Sequence, residues 1–198
     1  MKTRRCSVCR LKVPAESAVI GSLKAFCSME HLIEYSRSDA GRKTVRKAVQ
    51  RTVRAEKKLA VEKLKTRSDY TKEAQIAFNA YVRERDNGQQ CISCETHLNQ
   101  TGALGGSYDC GHYRSVGSAP HLRFDLHNAH GQCKKCNKYK SGNIADYRVK
   151  LLRKIGGARL EALECDQIQR KYTVPDLQRI RIIFTTKLKR LKSKNGKS

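Results

Sequence analysis

The apolar positions of this chain fall mostly at helical spacing. From Gly41 to Arg67 there is no proline, and no glycine after Gly41, which predicts one long helix with a thin, interrupted stripe of Val45, Ala48, Val49, Val53, Ala60, Val61 and Leu64. Ser68 and Asp69 interrupt that pattern. Ala74, Ala77, Phe78, Tyr81 and Val82 then recur at i, i+3, i+4, i+7 and i+8, predicting a second helix capped by Thr71 and stopped by Asn87 and Gly88. Asn143 opens a third stripe of Ile144, Tyr147, Leu151, Leu152 and Ile155, ended by Gly156 and Gly157 and followed by a short packed segment around Leu160 and Leu163. Thr173-Val-Pro-Asp reads as a capping box before Leu177, Ile180, Phe184, Leu188 and Leu191, a seam suited either to internal packing or to dimerisation. KSKNGKS, the end of the sequence, is expected to fray.

Between the helices lie short turn-rich stretches. KVPAES and IGSLKAF suit small hairpins, and a loop carrying Gly102, Gly105 and Gly106 leads into a strand ending near His112. The fold class is therefore α+β, with small sheets flanked by basic helices.

Cysteine spacing changes that picture most. Cys91-x-x-Cys94 and Cys133-x-x-Cys136 are paired knuckles suited to tetrahedral zinc. Cys6-x-x-Cys9 and Cys27-x-x-x-His31 form a second candidate, a zinc finger whose helix carries the last two ligands; the competing reading leaves His31 as a helix-face histidine. The apolar burial in such a finger is too small to fold it without metal. Of nine cysteines only Cys110 and Cys165 remain, both read as packed thiols. The start MKTRRCSVCR has no apolar leader, so the expected compartment is a reducing cytoplasm.

Charge names the partner class. With 42 Lys and Arg against 18 Asp and Glu the chain carries a formal +24, which points to a polyanion. Nucleic acid is favoured over a membrane surface, since the sequence has no long apolar run and no lipidation motif. The segment 41–67 holds eleven basic and two acidic residues; it either lies along DNA or is a solvated strut. Structural RNA binding is the bland alternative. Arg114, Lys134, Lys135, Lys138 and Lys140 surround the second knuckle and are expected to grip phosphates.

The order CxxC, GH, N and CxxCN is similar to that of the HNH (ββα-metal) endonucleases in their zinc-bearing form. More narrowly, GHYRS-x-x-x-A-P-x-LRF, N-x-H-x-QC-x-x-CN-x-YKSGN and Y-R-x-x-L, over roughly residues 71–157, resemble the phage NinG (Rap) recombination proteins. The resemblance implies a metal-dependent endonuclease cutting branched DNA (Holliday junctions, D-loops) in the bacterial host's cytoplasm. It places His112 as general base, Asn128 as the residue holding the base-bearing loop, and Asn137 as a ligand of a catalytic magnesium or manganese ion, although Asn137 equally suits a helix cap. The pattern departs at Gly111, where many HNH enzymes carry an Asp metal ligand; Asp109 is the nearest carboxylate and is carried as the second ligand. His127 and His130 are weaker candidates for phosphate contact or packing.

Four segments follow from this reading: a zinc finger at 1–33, a basic helical linker at 34–70, a nuclease domain at 71–165, and a basic helix with its tail at 166–198. Two incisions at a junction give a homodimer a motive, and the finger suits DNA or a recombination partner. The alternative function is a non-catalytic, zinc-dependent DNA-binding accessory protein, for which Gly111 is the best support.

Overall fold

The computed structural model describes residues 2–21, 24–99 and 108–195, so the loop glycines Gly102, Gly105 and Gly106 lie outside the described residues. Among the described residues the architecture is mixed α and β, mostly helical, with three two-stranded antiparallel sheets. The chain divides into two compact units, Met1–Leu64 and Lys65–Ser198.

In the first unit β1 (Thr3–Arg5) pairs with β2 (Lys12–Pro14), and β3 (Val19–Gly21) with β4 (Lys24–Phe26). Cys6 and Phe26 are fully buried, which is nearly all the apolar burial these hairpins supply. The helix α1 (Met29–Arg37) starts from Ser28, whose hydroxyl accepts from the His31 N–H. Cys27 therefore precedes the helix, and only His31 stands on it, a correction to the expectation that the helix carries both ligands. The helix α2 (Asp39–Leu64) packs closely on α1 at Gly41, where a Cβ would collide with the Tyr35 carbonyl oxygen. Gly41 is its sole buried residue; Val45, Val49, Val53, Val61 and Leu64 are all exposed.

The second unit opens with α3 (Arg67–Arg85), which begins four residues before the expected Thr71. The true cap is Thr66, and Asp69, read from the sequence as an interruption, is the reciprocal member of the capping box: its carboxylate accepts from the Thr66 N–H at 2.9 Å. Asp69 is held below the usual carboxylate range by those Thr66 hydrogen bonds. At the other end Gly88 takes φ +76, the left-handed stop expected there.

The hairpin of β5 (Tyr108–His112) and β6 (Ala129–Cys133) runs in the register Asp109↔Gln132 to Gly111↔His130. Opposed residues share a face, so Asp109, Gly111, His130 and Gln132 lie on one side, and Cys110, His112, Ala129 and Gly131 on the other. The helix expected to start at Asn137 is instead a single π-helical turn, Lys135–Tyr139. Ser141, Gly142 and Asn143 then all take positive φ, which ends the turn before α4 (Ile144–Ile155) begins where expected. Tyr147 and Leu151 of α4 are buried, whereas Ile144 and Leu152 are exposed despite their place in the apolar stripe. Gly156, at φ +82, turns the chain into α5 (Gly157–Cys165), which contributes Leu160 and Leu163 to the same core. Cys165 is exposed, not packed, because it ends the helix on its outer side.

The final helix α6 (Val174–Asn195) starts from a Thr173–Asp176 capping box and lays its seam on α3. Phe184 meets Phe78 edge-on at 4.8 Å, so the seam packs internally. The helix continues through Asn195 where fraying was expected, and residues 196–198 lie outside the described residues.

One buried charge ties these layers together. Asp86, 2% exposed, accepts from Arg85 Nε at 2.6 Å, Arg85 NH2 at 2.7 Å and the Gly131 N–H at 2.7 Å. Arg85 also donates to the Ala129 carbonyl at 2.9 Å. The outer edge of β6 is thereby fastened to the end of α3. Asp86→Ala should cost about 3 kcal/mol or more, because it leaves the Arg85 charge and the Gly131 N–H without their partner. Urea unfolding of the two proteins measures this, and a loss under about 1 kcal/mol would show that the clamp is dispensable.

Candidate functional site

Two clusters of sulfur and nitrogen ligands are assembled. Cys91, Cys94, Cys133 and Cys136 bring their sulfurs within 4.8 Å of one another, and so do the ligand atoms of Cys6, Cys9, Cys27 and His31. Both donor sets suit zinc. Around the first, backbone N–H groups point at sulfur: Cys133 N to Cys91 Sγ at 3.3 Å, Ser93 N to Cys91 Sγ at 3.4 Å and Cys136 N to Cys133 Sγ at 3.5 Å. Asn143 Nδ2 reaches Cys136 Sγ at 3.8 Å. Such donors stabilise thiolates and orient them. Cys133 is the last residue of β6, so the cluster sits at that end of the hairpin. In the finger, His31 Nδ1 lies 2.9 Å from Cys27 Sγ.

Beside the first cluster, Asn137 Nδ2 donates to Asp109 Oδ2 at 3.3 Å. A cleft of about 440 Å3 is lined there by Asp109, Cys110 and Asn137 from the hairpin and turn, and by Ile76, Asn79 and Arg83 from α3. Asn79 and Arg83 were not singled out from the sequence; their i, i+4 spacing on α3 is the signal that marks them as one face. Among the described residues, no third His, Cys, Asp or Glu joins Asp109 into a ligand cluster.

His112 is placed on the opposite face of β5 from Asp109. Its ring stacks on Phe78 with centroids 6.0 Å apart, and its Nε2 contacts the Arg123 carbonyl oxygen at 2.9 Å. Burial pushes the imidazole below its ordinary value, partly opposed by that carbonyl contact. The structure thus brings Asp109 and Asn137 together and holds His112 separately, against α3.

Asn128 is fully buried, and its amide is fully used. Oδ1 accepts from the Arg114 N–H at 2.8 Å, and Nδ2 donates to the Arg114 carbonyl at 3.0 Å and the Leu122 carbonyl at 3.2 Å. It therefore links the chain just after His112 to the residue just before Arg123, whose carbonyl meets His112.

Arg114, expected to contact phosphate, turns its guanidinium to the end of α5. Its guanidinium donates to the carbonyls of Leu163 at 3.0 Å and Asp166 at 2.6 Å and to Gln167 Oε1 at 3.2 Å, closing the end of α5. Lys135, Lys138 and Lys140 are exposed around the π-helical turn, and Lys134 is half-buried. Cys110 packs against the α3–α6 core, with burial pushing its thiol up to about 12.

Gly111 has no room for a side chain while Gln132 keeps its place, since a Cβ there would collide with Gln132 Oε1 and Cβ. The orientation of Gln132 is fixed by chemistry: its nitrogen donates to the Gly142 carbonyl, which can only accept, and to Ser93 Oγ at 2.7 Å. His130 is 3% exposed, and burial, together with the Arg85 and Lys154 charges, holds it down at about 3.

The comparisons with known proteins come down on one family. The family model for the bacteriophage lambda NinG protein matches residues 1–194. Over 143 residues the chain is 41% identical to "Protein ninG" of Salmonella phage P22, covering 71% of this chain and 68% of the relative. Over the same length it is 38% identical to "Protein ninG" of Escherichia phage lambda, covering 71% of this chain and 67% of the relative. No solved structure matches the chain.

Two measurements follow from the site. Atomic emission should find two zinc ions per chain, falling to one in Cys133→Ser, and a folded chain purified with neither would remove zinc from the account. For His130, the unfolded imidazole titrates near about 6.5 and the folded one at about 3, so between those values the unfolded state binds the extra proton. Stability contributed by the neutral ring is present above about 6.5 and falls by about 1.4 kcal/mol per pH unit below it. Urea midpoints at neutral and mildly acid pH should therefore separate less in His130→Gln than in the wild type. Equal separation would assign the acid sensitivity to other groups.

Proposed function

Because the chain belongs to the bacteriophage lambda NinG family, we propose that it is a metal-dependent, structure-specific DNA endonuclease of phage recombination, built on a zinc-stabilised ββα-metal (HNH-type) core. The observation that carries the reading is the path from Asn128 through Leu122 and Arg123 to His112. A backbone carbonyl only accepts, so neutral His112 carries its proton on Nε2 toward Arg123 and its lone pair on Nδ1. Burial keeps the ring neutral at neutral pH. Asn128 fixes both the strand end that bears the ring and the turn that orients it, which is the work of a positioning residue.

In this mechanism His112 Nδ1 takes a proton from water as the water oxygen bonds to phosphorus and the phosphorus–oxygen bond to the leaving strand breaks. Asp109 and Asn137 offer a carboxylate and an amide oxygen, a donor pair that suits a hard ion of the magnesium or manganese class. When bound, such an ion would supply charge stabilisation to the phosphate and the leaving oxygen. Asn137 presents its oxygen only after its amide turns over, since its nitrogen now faces Asp109. Arg83 in the same cleft and Lys134, Lys138 and Lys140 around the turn supply cations for the DNA backbone. Branched DNA as substrate is what the family resemblance implies, and the formal +24 charge suits any nucleic acid. A second copy, needed to cut both sides of a junction, would use a surface other than the α6 seam, which α3 occupies.

A second reading, a non-catalytic DNA-binding accessory, is favoured by two observations. Gln132 fills the position where a metal-binding carboxylate would project from residue 111, and Asp109 and His112 face opposite ways.

The two readings separate in a cleavage assay on a labelled four-way junction beside matched linear duplex, with magnesium or with EDTA. The nuclease reading expects magnesium-dependent cutting of the junction, reduced about a hundredfold or more in His112→Ala with junction binding retained. It also expects an acid limb below about 6.5, because a lowered pKa keeps the base unprotonated to lower pH. Tight binding with no cutting under magnesium or manganese would overturn it in favour of the accessory protein.

A further inference from the structure

At the end of β6 away from the cysteine cluster lies a cleft of about 260 Å3, bordered by His127, His130, Lys154 and Arg159. Two features of its wall, and a third in the helix that brings Arg159 to it, point to one kind of ligand.

The first is a lone pair with nothing to receive. The Tyr147 hydroxyl donates to the Gly111 carbonyl at 3.2 Å, so its oxygen accepts from His130 Nδ1 at 3.3 Å. The proton of neutral His130 is thereby fixed on Nδ1, and Nε2 is left as an acceptor. His130 is 3% exposed, its ring forms part of the cleft wall, and Nε2 makes no hydrogen bond among the described residues.

The second is uncompensated positive charge. Asp86 borders the cleft, but its carboxylate is taken by Arg85 and the Gly131 N–H. Lys154 reaches only the amide oxygen of Gln89 at 3.2 Å, and no carboxylate among the described residues pairs with Lys154 or Arg159.

The third is the start of α5. Its cap is Gly156, which has no side chain to accept from the first N–H groups, and its first turn contains no acidic residue. Arg159 stands there instead, the wrong sign for the helix dipole of an isolated helix. Open N–H groups beside a cation are what an anion at a helix N-terminus requires.

Anionic oxygens suit Lys154 and Arg159 in the wall, with the positive end of α5 beside them, while the His130 lone pair needs a donor. A phosphodiester has negative oxygens but no hydrogen to give. A singly protonated phosphate monoester has both, and its second ionisation lies near about 6. We infer that the cleft between β6, the end of α4 and the start of α5 binds a phosphate monoester, as carried by the 5′ end of a nucleic-acid strand. The nucleic-acid source rests on the proposed function; the monoester chemistry does not.

The test uses the full chain with its zinc. Long-range proton–nitrogen NMR spectra follow His130 Nε2 during titration with inorganic phosphate, and binding is compared for one oligonucleotide bearing either a 5′-phosphate or a 5′-hydroxyl. The inference expects the Nε2 signal to shift with phosphate and the 5′-phosphorylated strand to bind about tenfold tighter, which is about 1.4 kcal/mol. Lys154→Gln with Arg159→Gln should erase that difference and leave binding of the 5′-hydroxyl strand unchanged. Equal binding of the two strands overturns the inference, and so does a signal that moves with inorganic phosphate but not with the 5′-phosphorylated strand, which would mark an ordinary surface anion contact. Junction cleavage is scored separately in the same variants, so a failed nuclease reading and a failed monoester site give different results.

Discussion

A carboxylate removed from water must be met by donors, and the way Asp86 is met fixes the geometry of the second unit. Two of its partners come from the neighbouring Arg85 and the third from the backbone of Gly131 in the middle of β6. The approach is close enough that a Cβ at Gly131 would lie 3.0 Å from the Asp86 Cβ and 2.6 Å from Leu98 Cδ1. Position 131 therefore has to be glycine for the strand edge to reach the acid. Once β6 is held there, its register with β5 decides which side chains face the cysteine cluster and which face α3.

This arrangement explains how so basic a chain can keep an ordered centre. Acidic groups are few, and the well-placed ones serve as structural anchors. Asp69 and Asp176 close capping boxes, Asp86 holds the hairpin, and Glu164 joins Tyr113 to Arg148. The remaining cations are left largely on the surface. The α2 helix is the extreme case, 26 residues with one buried position. Its sequence has the propensity to be helical but little apolar area to bury.

Legibility in the sequence followed the range of the interaction. Both ligand clusters were readable because their spacing is local and their chemistry narrow. The helices at Ala74–Val82, Tyr147–Ile155 and Leu177–Leu191 were readable from their period. Asp69 was misjudged because a capping acid and a helix breaker look alike until Thr66 is seen opposite it. Arg114 stood beside the candidate base in sequence, yet its partners are carbonyls about fifty positions away, which no local pattern reveals. Asp86 and Gln132 were passed over for the same reason. The short π-helical turn was hidden because the left-handed residues that end it at 141–143 include two that are not glycine.

The interlock of Gly111 with Gln132 bears on how this sequence can change over time. A side chain at position 111 and glutamine at position 132 in its present orientation exclude each other. Either residue 132 shortens first, leaving the Ser93 and Gly142 partners unserved, or residue 111 grows first and pushes the Gln132 amide off those same partners. The two positions should therefore co-vary as one character across the lineage, and a departure at one from the common pattern is informative only when read with the other.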